Sequence, residues 1–115
     1  MDFDESLQQY TYAYEDLIFV WDELPKENFH EIVEVLADSY HENFDGILDF
    51  ILPNLREIYG DVTREDVENK IGKPIINPEN ETVTYCDQSF DSWHIFTFEF
   101  SNNNFEDLNY FSVDG

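Results

Sequence analysis

The hydrophobic period of this chain changes near Gly72, and that change limits the folds open to it. From Phe29 to Ile71 apolar side chains recur at the spacing of a helix face; from Pro74 onward they fall in short runs and alternations suited to strands. Phe29, Ile32, Val33, Leu36, Ala37 and Tyr40 form one helical stripe, with Asn28 and Glu31 at capping-box positions ahead of it. Phe44, Ile47, Leu48, Ile51, Leu52, Leu55, Ile58 and Tyr59 form a second that stops at Gly60. Asp45-Gly46 is the expected joint between them, and Pro53 predicts either a kink or a restart. Thr63 and Asp66 frame a third helix start, with Val67 and Ile71 as anchors and Gly72 and Pro74 as the stop.

Beyond that point the expected elements are strands. Pro74 to Ile76 reads as a short strand, 77–80 as a turn, and Thr82 to Cys86 as a strand rich in β-branched and aromatic residues. From His94 to Phe100 the chain alternates, and the face carrying His94, Phe96, Phe98 and Phe100 is the better core candidate. Asn102-Asn103-Asn104 predicts a turn, and Leu108 to Val113 a further strand. Helices followed by sequential strands predict one α+β domain over residues 1–115, with a C-terminal antiparallel meander. Residues 7–21 satisfy both a helical and a strand pattern. Ile18-Phe19-Val20-Trp21 tilts that segment toward a strand or hairpin joining the same sheet.

Charge then decides what such a domain meets. There are 27 Asp and Glu residues against five Lys and Arg, a formal net charge of −22, on a chain that is 42% apolar and holds 11 Phe, seven Tyr and two Trp. The aromatic content argues for a folded core rather than an acidic disordered tail. The excess lies far outside the range of roughly 2 to 8 that keeps a small domain soluble, so it costs stability by self-repulsion and points to a cationic partner. Nucleic acid and anionic lipid should be repelled. No apolar run approaches the roughly 20 residues of a membrane span, and the acidic start of the chain does not read as a signal peptide. The single Cys86 excludes an intramolecular disulfide and fits a reducing cytoplasm, with Cys86 itself expected as a small packing residue.

Enzyme chemistry finds no foothold. The four glycines at 46, 60, 72 and 115 cannot build a phosphate loop, no nucleophile motif occurs, and among 27 acids no acid/base pair stands out. No catalytic role and no cofactor are expected. Asp87, Asp91 and His94 fall within eight residues and are the one set with metal-ligand chemistry. Their spacing matches neither an EF-hand nor HExxH, and an Asp-rich turn leading into a strand is the plainer reading, so no metal is assigned.

Recognition is the better expectation. Glu27, Glu31, Glu34, Asp38 and Glu42 follow helical spacing opposite the Phe29 to Tyr40 stripe, and Lys26 is the only Lys between residues 1 and 69. Residues 1–25 carry seven acids and residues 74–115 carry eight, with no base in either. If the N-terminal segment joins the C-terminal sheet, one negative surface results, with Trp21 and Trp93 as aromatic anchors near Asp22, Glu23, Asp87 and Asp91. The expected partner-binding set is therefore Trp21, Asp22, Glu23, Glu31, Glu34, Asp38, Asp87, Asp91 and Trp93.

In size, charge, aromatic content and the ending Phe90-Asp91-Ser92-Trp93-His94-Ile95 through Tyr110-Phe111-Ser112-Val113-Asp114-Gly115, the chain resembles small acidic immunity proteins of bacterial polymorphic and contact-dependent toxin systems. The resemblance covers about the last 45 residues and transfers no binding residue. It implies a non-catalytic inhibitor of a cognate toxin, often a nuclease with a basic site. An acidic scaffold protein, or an inhibitor that mimics DNA, are the alternatives.

Overall fold

Three helices interrupt a seven-stranded sheet whose strands lie side by side in sequence order, in a computed structural model that describes residues 1–115. The strands are β1 (Asp2–Asp4), β2 (Gln9–Tyr14), β3 (Leu17–Trp21), β4 (Ile75–Asn77), β5 (Thr82–Tyr85), β6 (Ile95–Ser101) and β7 (Asn104–Asp114). Helices α1 (Phe29–Glu42), α2 (Phe44–Tyr59) and α3 (Arg64–Lys70) lie between β3 and β4. Every neighbouring pair is antiparallel except β3 and β4, which run parallel because the helical excursion carries the chain back before β4 begins. The fold is α+β, with a mostly antiparallel sheet.

The ambiguous N-terminal segment is strand. Its β2–β3 hairpin pairs Tyr14 with Leu17 and Tyr10 with Trp21 around Glu15-Asp16, where Glu15 takes a φ of 55°. Leu17, Phe19 and Trp21 point to one face and are buried there, so period 2 prevails over the helical match. On the same face Ile76, Val83, Tyr85, Phe96, Phe98, Phe100 and Phe105 join Val33, Leu36, Ala37 and Tyr40 of α1 and Ile47, Leu48, Ile51 and Leu55 of α2 in one hydrophobic cluster. The aromatic face expected for the 94–100 run is the buried one, although His94 precedes the strand.

Several local expectations are corrected. Asn28 stands at the N-cap of α1 but its side chain makes no capping bond, so the Asn28/Glu31 box is absent; Thr63 and Asp66 do form theirs, with bonds of 3.1 and 2.9 Å. The joint between α1 and α2 is the single residue Asn43, whose amide donates to the Ser39 carbonyl at 2.9 Å, and Gly46 lies inside α2. Pro53 causes no restart: α2 runs through it, because Ile51 and Leu55 on either side are locked into the core. Ile32 and Ile58 are exposed despite sharing the helical period, since each lies at the margin of its stripe. Cys86 is exposed rather than a packing residue, because it follows β5 on the side away from the core.

Candidate functional site

Most of the negative charge has no cation of its own. Arg64 is the only Lys or Arg in an ion pair, reaching Asp45 at 2.8 Å and Asp49 at 3.2 Å across α2 and α3. Arg56 donates to the Val62 carbonyl at 2.9 Å, and Lys70 lies 5.5 Å above the Phe90 ring. The acids of α1 and of the sheet are left to water and to one another.

Helical geometry gathers the α1 acids. With Val33, Leu36, Ala37 and Tyr40 buried, the opposite side of α1 presents Glu31, Glu34, Asp38 and Glu42, all exposed. Glu27 precedes the helix and does not extend the row as a helical residue. Val35 stands among these carboxylates, four residues after Glu31 and three before Asp38, and is 54% exposed; Ile32 flanks it at 37%. Neither stands out in the sequence as part of a site, because the pattern of α1 divides into apolar and acidic sides. An exposed β-branched residue inside an acidic row is the signal that could have found them. Beside Ile32 a depression of about 300 Å³ is lined by Trp21, Phe29 and Pro78 and edged by Glu79.

The helix's other flank meets the β2–β3 hairpin. Burial and then the charges of Glu15, Glu34 and Asp38 raise the Tyr14 hydroxyl above its ordinary pKa. His41 Nε2 lies 2.7 Å from Asp16, which ties the end of α1 to the turn of the hairpin and gives that carboxylate a partner the α1 acids lack.

The remaining expected residues do not form one surface. Asp22 and Glu23 follow β3 and share their end of the sheet with the β4–β5 turn, where Asp22 accepts from Gln9 at 2.8 Å and from Asn80 at 3.3 Å. Asp87, Asp91 and Trp93 lie in the β5–β6 connection at the opposite end, because β5 runs antiparallel to β4. The seven residues of β6 span about 20 Å between the two ends. Trp21 is only 3% exposed and belongs to the core, where it packs edge-on against Phe29; it cannot serve as a projecting anchor. Trp93 does project, at 64% exposure, its ring tilted 34° to that of His94 with centroids 3.6 Å apart.

Asp91 is committed to its own loop. Its carboxylate accepts from the Tyr59 hydroxyl, from Gln88 Nε2 at 3.0 Å, and from the backbone amides of Trp93 and His94 at 3.2 and 2.9 Å, and it lies 2.5 Å from His94 Nδ1. Burial opposes its ionisation, but the bonds from Tyr59 and His94 outweigh that and hold it well below the usual carboxylate range. Burial and then Asp91 push Tyr59 up to about 12. Gln88, missed in the sequence because a glutamine in a loop carries no pattern, is 6% exposed and accepts from the Phe90 amide at 2.8 Å while donating to the His94 carbonyl at 2.8 Å. The carboxylate therefore acts as an internal scaffold rather than a partner contact. No group of three His, Cys, Asp or Glu side chains is placed to hold a metal ion, so Asp87 does not complete the set with Asp91 and His94.

Against known proteins the chain matches no family model, no curated protein and no solved structure. No helix is long and apolar enough to cross a membrane.

Proposed function

We propose that the protein binds and inhibits a basic protein partner without catalysis, and that the partner is a bacterial toxin or nuclease domain. The observation that carries this reading is the outer face of α1, where Glu31, Glu34, Asp38 and Glu42 surround Val35 with no Lys or Arg in an ion pair to any of them. Like charges at helical spacing cost a few tenths of a kcal/mol per pair in the free protein. A cationic partner removes that cost on binding, and the apolar Val35 and Ile32 supply area that loses water. Unpaired charge of one sign also steers encounter, raising association rates by one to three orders of magnitude at low salt.

The test is co-expression with the product of the adjacent reading frame, followed by stopped-flow binding across a salt series. The expected result is relief of growth arrest, with association slowing about tenfold or more between low and high salt while dissociation changes little. Relief that persists with salt-independent association defeats the electrostatic reading. Absence of any stoichiometric basic partner favours an acidic scaffold.

A further inference from the structure

We propose that the uncovered face of the sheet takes an arginine or lysine side chain, carried on an extended segment of the basic protein partner, in a cleft spanning β1 to β4. This deepens the proposed function and rests on it. The pairing register defines that face: Asp2 lies opposite Thr11 and Thr11 opposite Val20, Asp4 opposite Gln9, and Ala13, Ile18, Ile75, Thr84, Thr97 and Ser112 follow one another across the strands. Asp114 shares it through Ile95, and Glu99 through Thr82. The helices pack on the other side; on this one Val20 and Asn77 are buried, and the register places Asp2, Asp4, Glu99 and Asp114 on it with no Lys or Arg in any strand.

The cleft has two kinds of wall. Its volume is about 450 Å³; Leu7, Ala13, Ile18 and Ile75 give it an apolar lining, and Asp2 and Asp4 stand in its wall. One oxygen of Asp4 accepts from the Leu7 amide at 3.1 Å, leaving the other oxygen and the whole Asp2 carboxylate without a protein donor. Arginine and lysine combine an aliphatic stem of three or four methylenes with a charged head, which is the same pairing of apolar and anionic demand. A neutral apolar side chain would leave the carboxylates unanswered. A nucleic acid would bring phosphates toward them.

A second, smaller cleft of about 180 Å³ shares Leu7 and Ile75 with the first and adds Gln9, Asn77, Thr82 and Thr84. The two together cross β1 to β5, about 19 Å at the usual strand spacing, which is the reach of roughly six extended residues. Gln9 Nε2 is taken by Asp22, Asn77 Oδ1 by the Glu79 and Asn80 amides and Thr84 by Thr97, which leaves Gln9 Oε1, Asn77 Nδ2 and the Thr82 hydroxyl to meet the backbone of such a segment. The occupant is thus a stretch of protein with at least one cationic side chain, rather than a free small cation.

The test uses the full chain, isotope-labelled, titrated with the acetylated and amidated peptide Ala-Arg-Ala-Arg-Ala-Arg and followed by amide chemical shifts. The expected result is that Thr11, Ala13, Ile18 and Ile75 shift together, and that Ala13→Trp, which fills the cleft without changing charge, weakens those shifts' midpoint about fivefold. Asp2→Asn with Asp4→Asn should weaken it comparably and, lying outside the core, keeps the result readable if Ala13→Trp fails to fold. Shifts confined to α1, a midpoint unmoved by either change, or an equal response at the same amides to spermidine would overturn the inference. In the first case the proposed function survives and only the cleft is lost; absence of shifts at both surfaces, with salt-independent association to the natural partner, sinks both.

Discussion

The hydroxyls of Tyr40 and Tyr85 lie 2.8 Å apart in the core, tying α1 to β5 through the only bond either oxygen makes. Both side chains are buried, and burial raises both phenols, Tyr40 and Tyr85, well above the ordinary value. Replacing one partner strands the other in an apolar setting, whereas replacing both removes two polar groups at nearly constant shape. Tyr40→Phe and Tyr85→Phe singly should each cost about 1 to 3 kcal/mol, and the double change less than the sum. Urea unfolding of the four-member cycle measures this; additive losses would show that the pair does not act as a unit.

Asp91 predicts an acid-sensitive loop. Its folded pKa is depressed, so the stability it contributes is fully present above the unfolded value of about 3.9 and is lost as pH falls below it toward the lower folded value. The urea midpoint of the natural protein should exceed that of Asp91→Asn by a constant margin near neutrality, and the margin should close below about pH 4. In the same variant the Tyr59 phenol, pushed up to about 12, should ionise at lower pH, as read by ultraviolet difference titration. A margin that persists into acid would contradict the role given to the carboxylate.

The two tryptophans should separate cleanly. Trp21→Ala removes a buried ring and should cost about 3 to 5 kcal/mol, while Trp93→Ala should change stability by about 0.5 kcal/mol or less. Acrylamide quenching gives an independent measure, with Trp93 accessible and Trp21 protected. Equal quenching of both would reverse their assignment.

Neutralising the α1 row should stabilise the free protein while weakening association. Glu34, Asp38 and Glu42 follow one another at spacings of four, beyond the first turn where Glu31 is favoured by the helix dipole, so changing these three to Gln, Asn and Gln should gain a few tenths of a kcal/mol per relieved pair at low salt. Thermal unfolding at low and high salt should show this gain fading as salt rises. A loss of stability at low salt would mean that these carboxylates already have favourable partners.

Much of the architecture was legible in short-range pattern. Period 3.6 located α1 and α2, the Thr63 and Asp66 pair located the start of α3, and the alternation of Phe96, Phe98 and Phe100 named the buried face of β6. Each of these depends on side chains a few residues apart, whose relative directions the local backbone sets. Where two local patterns coincided, as from Leu7 to Trp21, the pairing of Tyr14 with Leu17 and of Ile18 with Ile75 chose between them.

By itself the sequence determined the α+β class, the aromatic core of the sheet, and the acidic row of Glu31, Glu34 and Asp38, because these rest on periodicity within single elements and on the order of those elements along the chain. Only the tertiary structure decided which charges share a surface. It set Asp22 and Glu23 at one end of the sheet and Asp87, Asp91 and Trp93 at the other, drew Trp21 into the core, and bound Asp91 to Tyr59 and His94. The reason is strand direction: the parallel step from β3 to β4 and the antiparallel steps that follow fix which loops meet, and no spacing along the chain contains that information.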